Sequence, residues 1–144
     1  MRSVYRVLAM LIALGVVVQT ALIAVGWFSA LHSIDDGTVL DKNSDENWAQ
    51  TAHGTIGVMV IPLIAVVLLI VSFFARIPGG VKWAAITLGV TVLQILFAFA
   101  GFAAPIVGAL HGINAFALAG VASIAMRKAR LAGAVPPAPV TTAV

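Results

Sequence analysis

Four long apolar stretches, near residues 4–30, 52–74, 83–103 and 105–126, leave little room for anything but membrane-spanning helices. About 20 apolar residues cross the hydrocarbon core as a helix, because only there are all backbone polar groups satisfied within one segment. The four stretches account for nearly the whole chain. The expected fold is therefore all-α: one integral membrane four-helix domain over residues 1–130, arranged up-down-up-down, with no separate soluble domain. Only 9% of the 144 residues are charged, against roughly 25% in soluble domains.

The charges orient the spans. All five acidic residues, Asp35, Asp36, Asp41, Asp45 and Glu46, fall in the first loop. Seven of the eight basic residues, Arg2, Arg6, Arg76, Lys82, Arg127, Lys128 and Arg130, lie at the termini or in the 75–82 turn. Lys and Arg near span ends favour the cytoplasm. Both termini and the 75–82 turn are thus expected inside, and the acidic loop at 33–50 outside, in a bacterial cytoplasmic membrane. Trp27 and Trp48 then mark the outer interface and Trp83 the inner one. Pro62 falls inside the second span and should kink it. The final residues, 131–144, combine Pro with small residues and read as a disordered cytoplasmic tail. Basic residues are not interleaved with aromatics, which argues against nucleic acid as a partner. With no cysteine, disulfides, thiolate metal sites and thiol redox chemistry are excluded.

The chain also carries an internal echo. HGTIG at 53–57 returns as HGINA at 111–115. Gln19 is followed at +7 and +8 by Gly26 and Trp27, and Gln94 at the same offsets by Gly101 and Phe102. This reads as a pseudo-twofold repeat of two helix pairs, differing mainly in the length of the outer loop. In such a bundle the second and fourth helices lie diagonally, so His53 and His111 would face each other at similar depth. Two histidines in that relation can ligate one iron between them. Gly57 and Ala115, one turn further on, are small and would leave clearance for a flat macrocycle. Ile56, Val60, Phe116 and Leu118 are available to pack against it.

Other chemistry fits less well. Zinc held by His32, His53 and His111 with Asp35 or Asp36 is conceivable, but His32 has no counterpart in the repeat. Copper lacks methionines beside the histidines, and no nucleophile stands next to a base. Gln19 and Gln94 are expected to hydrogen-bond between helices.

In architecture, residues 4–126 resemble one four-helix half of the heme A synthase family, and also small uncharacterised four-helix bacterial membrane proteins with the same histidine pattern. The resemblance rests on HGTIG, LQILFAFAG and ALHGINAFALAG. It implies that His53 and His111 are axial ligands of one b-type haem near the outer face. Where that family carries E-x-x-H, this chain reads QTAH, with Gln50 in place of the glutamate. An amide cannot act as a base, so synthase activity is not expected. The function implied is that of a bis-histidine, cytochrome b-like membrane protein serving electron transfer or haem handling, with a redox partner or quinone. The alternatives are a cofactor-free structural or assembly subunit of a larger membrane complex and, third, a haem-modifying oxygenase.

Overall fold

The computed structural model describes residues 1–134. They form four helices: α1 (Arg2–Asp35), α2 (Trp48–Ala75), α3 (Gly80–Ala103) and α4 (Pro105–Ala134), with no strand among the described residues. All four are long and apolar enough to cross a membrane. Three of them run several residues past the apolar stretches at one or both ends, since hydropathy marks only the part matched to lipid while the helix continues into polar flanks. The expected tail at 131–144 is helical as far as Ala134, and the rest of it lies outside the described residues.

Local chemistry sets the breaks. Arg76 (φ 50°) and Gly79 (φ 72°) both take the left-handed conformation that turns the chain between α2 and α3. Pro105 restricts the preceding Ala104 to an extended backbone (φ −141°, ψ 97°), which ends α3 before α4 begins. Asn47 starts α2 with a capping box, its side chain accepting from Gln50 N–H while Gln50 Oε1 accepts from Asn47 N–H. The same Asn47 donates to Gly26 C=O at 2.8 Å, pinning the end of the acidic loop to α1.

The distortion expected at Pro62 takes the form of a π turn over Ile56–Val60, directly before the proline. Ile61 N–H there bonds Ile56 C=O, five residues back. A wider turn spares the proline ring a clash with the carbonyls behind it.

Around the bundle, α1 packs on α2 and α4, and α3 on α4 and on the Ile61–Ala75 part of α2. Each helix buries a seam spaced alternately four and three residues: Tyr5, Ala9, Ile12 and Val16 on α1; Ile61, Ala65, Leu68, Ser72 and Ala75 on α2; Gly80, Ala84, Thr87 and Thr91 on α3; Leu118, Ala122, Ala125 and Ala129 on α4. A period of 3.5 keeps one face on its neighbours along the helix, and the small members let the backbones approach closely. The buried hydroxyls of Ser72, Thr87 and Thr91 donate to carbonyls three or four residues back.

All these seams lie toward one end. Tyr5 OH donates to Gly80 C=O and Arg2 to Ala132 C=O, bringing together the starts of α1 and α3 and the end of α4. Among the described residues, only Gly26 and Ala49 are buried at the other end. Gly26 serves the contact between α1 and α2: an added Cβ there would lie 2.8 Å from Gln50 Cγ. The bundle is knit at the end holding the N-terminus and loosely packed at the other.

Candidate functional site: two histidines where the core gives out

His53 and His111 sit at the boundary between these two regions. Followed from the tightly packed end, the continuous run of buried positions stops at Ile61 on α2 and at Asn114 on α4. Both histidines are half-buried. Their ring centroids lie 6.2 Å apart, with the ring planes at 64°.

Each ring is held by the glutamine of the preceding helix, through two bonds in opposite senses. Gln19 Nε2 donates to His53 C=O at 2.8 Å, and His53 Nδ1 lies 3.0 Å from Gln19 C=O. Gln94 Nε2 donates to His111 C=O at 2.9 Å, and His111 Nδ1 lies 2.9 Å from Gln94 C=O. A carbonyl can only accept, so each Nδ1 carries the proton and donates. In the neutral imidazole Nε2 is then the nitrogen without a proton, and in both residues it takes no hydrogen bond among the described residues. A neutral imidazole fixed in this tautomer is the form that binds a metal.

Gly57 is what allows the first of these pairs. A Cβ added there would lie 2.7 Å from Gln19 Nε2, so the glutamine amide packs directly against the Gly57 backbone. Its counterpart Ala115 is partly buried against the core. Of the four apolar neighbours expected around a cofactor, Leu118 belongs to the core, Ile56 packs against it, and Phe116 and Val60 are exposed.

The two pairs are not identical. Gln94 Oε1 accepts from Asn114 Nδ2 at 2.7 Å, and Asn114 also donates to Val90 C=O at 3.1 Å. Three residues after His53, the corresponding position is Ile56, and Gln19 Oε1 is buried with no partner among the described residues. Asn114 went unremarked in the sequence, although a polar residue in mid-span is itself a signal of a satisfied network.

The zinc arrangement is not assembled. His32 is highly exposed near the end of α1, where it pairs only with Asp36 at 3.6 Å. No group of three or more His, Asp or Glu side chains able to hold a metal ion is found among the described residues. A metal between His53 and His111 would need its remaining ligands from another molecule. Gln50, at the place of the glutamate in E-x-x-H, is engaged in the capping box of α2.

No family model, curated protein or solved structure matches this chain, and the site is read from its own geometry.

Proposed function

We propose that this chain is a b-type, bis-histidine haem protein of the membrane, with His53 and His111 as the two axial ligands. The observation that carries this reading is the separation of the two rings. Two rings whose Nε2 atoms both point at one ion between them, with metal–nitrogen bonds of about 2.0–2.1 Å and about 1.1 Å from nitrogen to ring centre, stand roughly 6.2–6.4 Å apart. The centroids here are 6.2 Å apart. Both Nε2 atoms are free, both Nδ1 atoms are occupied, and the rings stand where the tight core ends. Two protein nitrogens with no further ligand nearby suit a metal that brings its own equatorial plane.

Haem, when bound, supplies a one-electron iron couple. The chain's residues would do the rest. Gln19 and Gln94 hold each imidazole in its tautomer through a backbone carbonyl, and a donated Nδ1–H raises the basicity of the ligating nitrogen. Two histidine ligands would leave the iron no open position for oxygen, which favours electron transfer over oxygen chemistry. The Gln50 amide, already bonded to a backbone N–H, offers no base for haem oxidation. An up-down-up-down topology with a pseudo-twofold axis, termini at the cytoplasmic side and the histidines toward the outer side, completes the reading. One haem near one leaflet cannot span about 30 Å of hydrocarbon, so a redox partner, a quinone or a larger membrane complex would take the electron onward.

The test is the absorption spectrum of the full chain purified from iron-supplied cells. A Soret band with sharp reduced α and β bands is expected. A colourless, folded protein that takes up no added haem would overturn the proposal and leave a cofactor-free structural subunit.

A further inference from the structure

A second feature lies at the opposite end of the bundle from the histidines. A concavity of about 250 Å³ opens between the start of α1 and the end of α4, lined by Arg2, Ser3, Arg6, Ala129, Arg130 and Gly133. That is space for about eight waters at roughly 30 Å³ each. Three guanidinium groups share it, and among the described residues no carboxylate pairs with them. The five acidic side chains all lie within residues 35–46, and the one ion pair among the described residues, His32 with Asp36, is at the far end of α1. Arg2 spends one donor on Ala132 C=O at 3.1 Å, which anchors it across the two helices, and its remaining N–H groups take no partner among the described residues.

Three like charges gathered without a counter-charge repel one another, and an anion placed among them relieves that repulsion. Guanidinium forks match phosphate oxygens in geometry as well as charge. The surroundings indicate where the phosphate comes from. Along α1, the face that carries Arg6 continues with Met10 and Val17, both exposed. A phosphate seated among the arginines would thus have an apolar strip leading away along α1, as a headgroup with its acyl chains requires. We propose that this concavity binds the phosphodiester of an anionic phospholipid. Basic pockets between helices at the charged end of a membrane bundle have this recognition chemistry. The site is independent of whether His53 and His111 hold haem.

Native mass spectrometry of the full chain, released from a neutral detergent with graded dioleoyl phosphatidylglycerol, tests it. One lipid should be retained, in preference to dioleoyl phosphatidylcholine, and excess inorganic phosphate should not displace it. Arg6→Gln with Arg130→Gln removes two guanidinium groups and should weaken retention about thirtyfold, at about 1 kcal/mol for each cation. Lys82→Gln with Lys128→Gln removes equal charge outside the concavity and should leave retention unchanged, with circular dichroism checking that both proteins fold. Equal losses in the two double variants would reduce the effect to general surface charge and overturn the site. Equal retention of phosphatidylcholine would overturn it as well. Displacement by inorganic phosphate would refute the lipid and point to a soluble anion.

Discussion

Replacing Gly57 by alanine separates two opposing effects that the structure places on one atom. In a helix, alanine is favoured over glycine by about 0.8–1.0 kcal/mol. The new Cβ, however, would lie 2.7 Å from Gln19 Nε2, which donates to His53 C=O at 2.8 Å. The amide is the far end of a flexible side chain and can swing aside, but only by giving up that bond, at about 0.5–1.5 kcal/mol. Crowding adds to the loss, so Gly57→Ala in the otherwise unchanged chain should be neutral to destabilising by about 1 kcal/mol. With Gln19→Ala already present there is no amide to displace, and the same substitution should stabilise by the full helical preference, about 0.8–1.0 kcal/mol. The double-mutant cycle should therefore show a coupling of about 1–2 kcal/mol. Reversible unfolding in mixed micelles, followed by circular dichroism, measures each corner. A cycle that closes at zero, with Gly57→Ala stabilising both backgrounds alike, would refute the placement of Gln19 against Gly57.

Three further outcomes are expected. Gly101→Ala puts a Cβ 2.9 Å from the backbone Cα of Gly108, which cannot swing away, so α3 and α4 must separate at a cost of about 1–3 kcal/mol. Gly108→Ala meets nothing closer than 3.7 Å and should be tolerated, and equal effects of the two in the same unfolding assay would contradict the close approach. In the acidic loop, the Asn43 backbone N–H donates to Asp41 at 2.8 Å and, with lesser help from Ser44 and the Asn43 side chain, holds the carboxyl below the ordinary aspartate range. A depressed value means that the turn's stabilisation is complete above the unfolded aspartate value and is lost as pH falls through the folded one. An NMR titration should show the Asp41 midpoint, and with it the loss of the Asn43 amide's protection from exchange, below that of a free aspartate; a midpoint at the free value would contradict the turn. For orientation, Asn43→Cys should react with an impermeant reagent on intact cells and Ser3→Cys only after permeabilisation, and the reverse would place both histidines toward the inner side.

The sequence shows four helices because each needs a long apolar run, and it hides their ends because polar flanks continue the same backbone. Pro62 announced a distortion, but not that the π turn would fall before it, since the accommodation depends on which carbonyls the chain can release. The pairing of Gln19 with His53 and of Gln94 with His111 was half visible. Both glutamines read as interhelical donors at matching offsets, yet their partners depend on the register within each hairpin, and two loops of different length do not reveal it. Gly57 was read as clearance for a macrocycle because its face along α2 was known, whereas which neighbour fills that face is a tertiary fact. Asn114 was overlooked between larger signals. The alternating seam of Ala9, Ala65, Ala84 and Ala122 was equally concealed, because in a chain so rich in alanine a buried position looks like an exposed one.

The central claim, that His53 and His111 ligate one haem between them, is tested most directly by electron paramagnetic resonance of the oxidised full chain loaded with one equivalent of haem. Two imidazole nitrogens impose a low-spin iron. Rings at 64° to one another, far from parallel, leave its two π-interacting d orbitals nearly equal in energy, so a low-spin signal with one strongly shifted, large-g feature is expected. His53→Ala and His111→Ala should each replace it with a high-spin signal or with protein that retains no haem, while His32→Ala should leave it unchanged. A high-spin signal from the unaltered chain, or a low-spin signal that survives either of the first two substitutions, would contradict the assignment.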